Sequence, residues 1–242
     1  MKILSLSLTA FALSGFAFLA NADELFELPN GEPPNHLVPT EGFDQRSIDH
    51  LSRGGSIQAT MIICPSYGGE AVFELVVKIA PEVLKKYHDL LALIPNSEKT
   101  FYIRSAVAKK SLRSNPLPLI EQHELEVSVR LASSIQRAWG NMLMLTRYPE
   151  KAYIGNDGLT IQFGASAGNL GFLRGEIWSP ELGLPAEIAA FGEKLMEIAT
   201  KEAPLEKAQE DELVAKLDEF TTRAEKERKA IAGSSAKKLQ KK

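Results

Sequence analysis

Apolar residues alternate with polar ones along two neighbouring stretches of the chain, 56–64 and 71–79. Alternation with a period of two is typical of strands that bury one face. Gly68-Gly69 lies between the two stretches, and glycine accepts the positive φ that a tight turn needs. The pattern therefore predicts a hairpin. Its buried faces would carry Ile57, Ala59, Met61 and Ile63 on the first strand and Phe73, Leu75, Val77 and Ile79 on the second.

Helical periodicity follows the hairpin. Pro81 suits the first turn of a helix, and apolar residues at steps of three and four predict a short helix up to Pro95. The residues of 100–108 predict a third strand. We then expect a long helix that opens at Pro116 and Pro118. Its buried stripe would consist of Val127, Leu131, Ile135, Ala138, Met142 and Leu145.

The following stretch predicts a second hairpin and a further helix. Gly155-Asn156-Asp157-Gly158 separates Tyr153-Ile154 from the strand-like run 159–163 and is rich in residues that tolerate positive φ. A further strand is expected over 172–178. A helix should begin at Pro185, with an inner face of Ile188, Phe191, Leu195 and Ile198.

Strand clusters separated by helices are typical of the α+β class. We therefore expect a single α+β domain over 56–203, in which antiparallel sheet elements pack with two or three helices. Residues 23–55 contain several Gly and Pro and show no sustained periodicity, so an extended, irregular segment is expected there.

A charged helical arm is expected over 204–230, with the narrow apolar seam Leu213, Leu217, Phe220 and Ala224. Such a narrow seam predicts loose attachment to the domain and a coiled-coil contact with a partner or a second copy. Residues 201–221 carry three basic and seven acidic side chains, whereas 222–242 carry eight basic and two acidic ones. This order would match opposite charges in an antiparallel pair of arms. In the alternative, the arm folds back onto the domain's own apolar surface. A disordered basic tail is expected over 231–242.

The N-terminal 22 residues have the features of a cleavable signal peptide. Lys2 precedes an apolar stretch, and Ala20-Asn21-Ala22 places small side chains where a signal peptidase cleaves, so the mature chain should begin at Asp23. The alternative is an uncleaved anchor, but the stretch is short and interrupted by hydroxyls. We expect an exported protein, periplasmic or extracellular, without a stable membrane anchor after cleavage. The chain has no Asn-x-Ser/Thr acceptor, which favours a bacterial source.

The overall charge and the single cysteine narrow the class of protein further. The net charge is −3, which gives no sign of a nucleic-acid partner. Cys64 cannot form an internal disulfide and is expected to pack as a small hydrophobe. The four histidines lack metal-site spacing, and no phosphate-binding, dinucleotide-binding or calcium-binding motif occurs. No metal and no cofactor are therefore expected.

One motif hints at catalysis. Gly164-Ala165-Ser166-Ala167-Gly168 has the GxSxG form of a nucleophile elbow and follows a strand. An elbow leads into a helix, however, and this one leads into another strand-like run. No histidine follows Ser166 in the chain, although His123 and Asp157 precede it and could meet it in space. These three residues are the weak catalytic candidates.

A second candidate site is the strand face that carries Arg174, Glu176 and Trp178. Thr160 and Gln162 have the parity to lie on the same face. An open face of this kind would bind a sugar ring, a peptide or a partner loop. In the alternative, the following helix covers the face and the two charges only pair with each other. Trp139, off the main helical stripe, is expected to pack beneath the same sheet.

These observations favour an exported, non-catalytic protein that binds another envelope component. The arm would bind a protein partner or a second copy of the chain. The binding candidates are Arg174, Glu176, Trp178, Leu213, Leu217 and Phe220. The alternative is a hydrolase with an unrecognised site near Ser166. Whether the protein is an enzyme stays open at this point.

Overall fold

A computed structural model describes residues 35–87, 93–149, 158–201 and 203–239, with side chains up to 233. These residues belong to one compact unit of 34–149 and 157–242. In chain order the helices and strands are α1 (Gln45–Leu51), β1 (Ser56–Pro65), β2 (Ala71–Ile79), α2 (Pro81–Lys86), β3 (Lys99–Ala108), β4 (Ile120–Val127), α3 (Val129–Leu143), β5 (Leu159–Ser166), β6 (Phe172–Trp178), α4 (Gly183–Thr200) and α5 (Lys207–Leu239).

The strands form one antiparallel sheet in the order β4-β3-β2-β1-β5-β6. The predicted hairpin is present as β1 and β2, with Met61 opposite Phe73 and a register shift between Ile57 and Ala59. A sheet of this kind packed with helices confirms the α+β class. Residues 150–157, which include the first strand of the second predicted hairpin, lie outside the described residues, while β5 begins at Leu159.

The prediction of a helix from Pro116 was wrong over its first part. Residues Ile120–Val127 form β4, which pairs with β3, and α3 begins only at Val129. Ser128 marks this start, because its hydroxyl accepts a hydrogen bond from the backbone N–H of Leu131 at 3.1 Å. The apolar stripe was correctly placed from Leu131 onward, since it lies entirely within α3 and its end.

The main core lies on one face of the sheet. The helix α3 packs over β5 and β1, and α4 packs over β3 and β4. Trp139 is fully buried beneath the sheet, as expected, and its ring centroid lies 5.4 Å from that of Phe73. Gly192 of α4 lets this layer come close, because a Cβ there would lie 2.4 Å from Cε of Met61.

A smaller core lies on the opposite face of the sheet and is covered by α1. It contains Leu51, Ile62, Val72, Ala106, Ala108 and Leu112. The helix α1 lies inside the segment that was expected to be extended and irregular. Asp44 caps it, since its carboxylate accepts a hydrogen bond from the N–H of Ser47 at 2.8 Å.

The C-terminal helix α5 belongs to the main core, which corrects the expectation of a loosely attached arm. The seam residues Leu213, Leu217, Phe220 and Ala224 are all buried, together with Val214. The helix packs along α3, and Val214 widens the buried stripe beyond the four seam residues. The sequence had left this folded-back arrangement open as the alternative.

Polar contacts flank the packing of α5. Ser128 donates a hydrogen bond to Glu210 at 2.6 Å, and Ser134 donates one to Asp218 at 3.1 Å. Ion pairs join Arg130 to Asp211, Arg137 to Asp218 and, from α4, Glu187 to Arg223. The helix continues to Leu239, so it runs into the tail that was expected to be disordered.

The two edges of the sheet differ. On the β6 side, Val38 and Glu176 exchange two backbone hydrogen bonds of 2.8 Å. On the other side, β4 pairs with β3 and with no second strand among the described residues. Within the described ranges, no helix has the length and apolar character needed to cross a membrane. The predicted signal peptide, residues 1–22, lies outside these ranges.

Candidate functional site

A groove lies at the end of the sheet where β5 ends and β3 begins. It consists of two adjoining depressions of about 480 Å³ and 270 Å³, which share Ser133, Gln136 and Ser166. We call it the Ser166 groove. Its hydrogen-bonding side chains are Ser56, Gln58, Asn96, Ser133, Gln136, Asn141 and Ser166, and its apolar lining includes Val77, Ile79 and Phe101.

Both the sheet and α3 position these polar side chains. Ser133 and Gln136 are one helical turn apart, so they lie on the same side of α3. The Gln136 amide donates a hydrogen bond to the backbone carbonyl of Ser166 at 3.1 Å. At the start of β1, the Gln58 amide donates to the Ser56 hydroxyl at 3.2 Å. The groove is therefore built from side chains that the fold itself holds in place.

The charges in the groove are few. Lys99 lines the larger depression, with Nζ 3.4 Å from Oδ1 of Asn96. Arg137 lines the smaller depression and is paired with Asp218 of α5. None of the described lining residues is Asp or Glu. This lining suits a neutral ligand, or one with a negative charge near Lys99, that both donates and accepts hydrogen bonds.

Ser166 lies in this groove but not in a nucleophile elbow. It is the last residue of β5, and the chain continues through a short 3₁₀ turn at Gly168–Leu170 into β6. An elbow would turn into an α-helix at this point. The GxSxG match is therefore explained by small residues at a turn between two paired strands.

The structure does not bring Ser166 and His123 together. His123 lies on β4 and Ser166 on β5, and the strand order places β3, β2 and β1 between these two strands. Four strand spacings of about 4.8 Å give a separation of about 19 Å. Asp157, the third residue of the weak catalytic set, lies outside the described residues, as does His88.

The predicted face around Glu176 exists, and part of it is covered by the chain's own N-terminal segment. The register places Gln162 opposite Glu176 and Thr160 opposite Trp178. The Gln162 amide donates to Glu176 at 2.9 Å, while its oxygen accepts from the N–H of Asp44 at 2.7 Å. The covering element is thus the segment before α1, whereas α4, the expected cover, packs on the opposite face.

Arg174 contacts two aromatic rings, that of Phe43 in the covering segment and that of Phe172 on its own strand β6. Its guanidinium carbon lies 5.3 Å from the ring centroid of Phe43 and 5.7 Å from that of Phe172. The two rings meet edge to face at 6.3 Å. Cation–π contacts of this kind stabilise the segment on the sheet. Arg174 therefore has a structural role at the β6 edge.

The residues of the arm that were expected to bind a partner pack inside the protein instead. Leu213, Leu217 and Phe220 are buried in the main core, so their apolar surface is already covered. The contact that we expected them to make with a partner is made with α3. A partner would have to use another face of α5.

Cys64 packs as expected. Burial raises the pKa of its thiol to about 11, an effect only partly opposed by a contact with the Ser47 hydroxyl at 3.9 Å. A thiol with this pKa is a poor nucleophile at neutral pH. No cluster of three or more His, Cys, Asp or Glu side chains that could hold a metal ion occurs in the described part of the chain.

An ion network crosses the α1 side of the sheet. Arg104 donates to Glu124 at 2.7 Å and lies 4.0 Å from Glu74. Burial raises the pKa of Glu74, although the Ser52 hydroxyl and Arg104 act in the opposite direction. Partial burial would also raise the pKa of Glu124, but hydrogen bonds from Lys78 and Arg104 outweigh it and lower that pKa. The network joins β2, β3 and β4.

Sequence reasoning missed most of the Ser166 groove. Ser133 and Gln136 stand on the polar side of the predicted helix, where a side chain exposed to solvent is the usual interpretation. Their spacing of three residues shows a shared face, but it gives no sign that this face meets the end of β5. Only the crossing of α3 over the sheet brings them beside Ser56 and Ser166.

No family model matches this chain, and no curated protein and no solved structure matches it either. Its function must therefore follow from the chemistry of its own side chains.

Proposed function

We propose that this chain is an exported, non-catalytic protein that binds another component of the cell envelope, and that the Ser166 groove is its binding site. The observation that carries the proposal is the lining of the groove. Hydroxyl and amide groups from β1, α3 and β5 converge there on a volume in the size range of ligand pockets. Such groups bind and orient a ligand without exchanging protons with it near neutral pH.

The contacts of Ser166 support binding over catalysis. A serine nucleophile needs a general base within about 3 Å of its hydroxyl. In the described part of the chain, the side chain that forms a hydrogen bond with Ser166 is the amide of Gln136, which donates to the backbone carbonyl. An amide is not a base at physiological pH.

Residues 1–22 support export. The positive charge at Lys2, the apolar stretch and Ala20-Asn21-Ala22 are the three parts of a signal peptide, and a bacterial periplasm or exterior is the proposed location. N-terminal sequencing of the protein from cell fractions tests this part. A mature start at Asp23 is expected, and a chain that retains Met1 in the membrane fraction would contradict export with cleavage.

Co-sedimentation tests the binding site. The purified mature protein is mixed with separated envelope fractions (cell-wall sacculi, inner-membrane vesicles and outer-membrane vesicles), and the bound share is measured. Ser133→Trp places an indole in the groove from an exposed position of α3. Ala215→Trp adds the same side chain at an exposed position of α5 and is the matched control.

We expect one fraction to retain the wild type and the control, and to lose Ser133→Trp. Melting temperatures of both variants establish that they are folded. Equal retention of both variants, or retention of the wild type by no fraction, would overturn the proposal.

A further inference from the structure

We propose that the ligand of the Ser166 groove is a glycan of N-acetylated amino sugars that carries carboxylates, the chemistry of a bacterial cell-wall strand. This inference rests on the proposed function and narrows it to one class of ligand. It follows from the hydrogen-bonding groups of the groove, from its charge, and from the way the strands beneath it are paired.

The hydrogen-bonding groups match sugar substituents. A carboxamide side chain donates and accepts at once, so it can bind two neighbouring hydroxyls or an acetamido group. Gln58 and Gln136 each use an amide N–H within the protein, and their side-chain oxygens have no partner among the described residues. The hydroxyls of Ser133 and Ser166 lie between them in the shared part of the groove. These atoms are available to a ligand that presents hydroxyl and amide groups.

The shape of the groove fits more than one sugar ring. Its two lobes meet at Ser133, Gln136 and Ser166, and the larger lobe alone is about 480 Å³. Apolar side chains of β2 and β3 line this lobe, among them Val77 and Phe101. A sugar ring has an apolar C–H face beside its hydroxyls, so it can contact both kinds of lining at once.

The charge favours an acidic ligand. Lys99 is the cation of the larger lobe, and its closest described partner is the neutral amide of Asn96 at 3.4 Å. In the smaller lobe, Arg137 is neutralised by Asp218. A carboxylate on the ligand would therefore meet one uncompensated cation and no acidic side chain among the described lining residues.

The pairing of the strands argues against a peptide ligand. An extended peptide binds to a sheet mainly through backbone hydrogen bonds at a free strand edge. The strands that line the groove, β1, β2, β3 and β5, each pair with a neighbour on both sides. The groove therefore offers side chains and not a free edge, which suits recognition of a glycan.

Titration calorimetry with defined fragments tests the inference. The probes are a chito-oligosaccharide, which is an uncharged N-acetylglucosamine oligomer, a disaccharide of N-acetylglucosamine and N-acetylmuramic acid, which has the lactyl carboxylate, and a short cell-wall stem peptide. Lys99→Gln removes the cation, and Lys109→Gln, which removes a lysine just beyond the opposite end of β3 that pairs with Glu121, is the control. Gln58→Ala and Ser133→Trp alter the polar lining.

The wild type should bind both glycans, with the acidic one bound more tightly. Lys99→Gln should weaken the acidic glycan by about tenfold, the scale of one charged hydrogen bond, and leave the neutral one within twofold. Ser133→Trp should abolish binding of both, and Gln58→Ala should weaken both. Lys109→Gln should change neither.

Three results would overturn the inference. The first is binding of neither glycan, the second is an equal effect of Lys99→Gln and Lys109→Gln, and the third is binding of the stem peptide in place of the glycans. If a membrane fraction retains the protein through Ser133 while no glycan binds, this inference fails and the proposed function stands. If no envelope fraction retains it at all, the proposed function itself fails.

Discussion

The side-chain amide of Gln136 donates a hydrogen bond to the backbone carbonyl of Ser166 across 3.1 Å, and this contact ties α3 to the end of β5. It fixes the distance between the two walls of the Ser166 groove. A neutral hydrogen bond of this kind contributes about 1 kcal/mol to folding stability. Its loss should therefore be measurable without unfolding the protein.

Gln136→Ala should lower the melting temperature by about 2–4 °C, the shift expected for about 1 kcal/mol in a chain of this size. It should also speed amide hydrogen exchange in 167–171, because the turn loses its link to α3. Exchange measured by mass spectrometry checks the second effect. Gln58→Ala removes only a bond within β1, so it serves as control, and equal exchange in both variants would contradict the link.

Ser166→Ala should leave the fold unchanged and should weaken retention by envelope fractions only a few-fold, the scale of one neutral hydrogen bond. The serine hydroxyl has no hydrogen-bond partner among the described residues, and His123 lies about 19 Å away across the sheet. Co-sedimentation and a serine-reactive probe are the measurements. Labelling of Ser166, or loss of a measured hydrolysis by about a hundredfold, would show a nucleophile.

Phe220→Ala should destabilise the protein strongly, since Phe220 is fully buried between α5 and the rest of the core. Truncation of a buried Phe costs about 3–5 kcal/mol, which corresponds to roughly 6–20 °C in melting temperature. The neighbouring exposed residue gives the control, because Glu219→Ala should change little. If a chain that lacks 204–242 kept the melting temperature of the wild type, α5 would be a loosely attached arm after all.

Glu74→Gln should raise the melting temperature at pH 7.5 by about 2 °C or more, and the gain should shrink as the pH falls towards 4. Burial raises the pKa of Glu74, so the folded state binds this proton more tightly than the unfolded state. Stability is therefore lost as the pH rises through that pKa, and glutamine avoids the loss. The amide oxygen can still accept from Ser52, which donates to Glu74 at 2.5 Å. A lower melting temperature at pH 7.5 would show that the contact with Arg104 outweighs burial.

Cys64 should react with a thiol reagent at pH 7.4 about a hundredfold or more slowly than an unfolded cysteine. Its pKa of about 11 leaves very little thiolate, and the side chain is partly buried beside α1. Absorbance of a released chromophore gives the rate. The same protein in denaturant is the control, and reaction at the free-thiol rate in the folded state would contradict the packing role.

The sequence predicted the strands and the fold class well where a repeating pattern was present. The alternation in 56–64 and 71–79 predicted β1 and β2, with Met61 and Phe73 on one buried face. Ile57 was placed on the wrong face, because the register shift after it pairs it with Val76. The opposite face is buried too, since Ile62 and Val72 pack there under α1.

The prediction failed at 120–127, because Pro116 and Pro118 resemble helix starts and the Glu residues of β4 have no strand preference. Pairing with β3, a contact between distant parts of the chain, decides the conformation there.

The site was harder to predict than the fold. The apolar stripe of a helix predicts which side packs against the core, but it does not predict what the polar side contacts. The pattern around Ser133 and Gln136 therefore did not indicate a binding site. The narrowness of the α5 seam was misleading for a related reason, because Val214 contributes to its burial and polar contacts such as Ser134 with Asp218 support it. Both errors concern contacts between elements that are far apart in sequence.

Among the described residues β4 pairs on one side only, and this edge of the sheet has a consequence for behaviour at high concentration. An unpaired strand can recruit another chain and start open-ended polymerisation. Here β4 carries Glu121, Glu124 and Glu126, and the first two form ion pairs with Lys109 and Lys78. A second sheet that docked on this strand would have to strip water from these charges, while Val38 already occupies part of the β6 edge. The charges on β4 thus oppose amyloid-like growth from this edge.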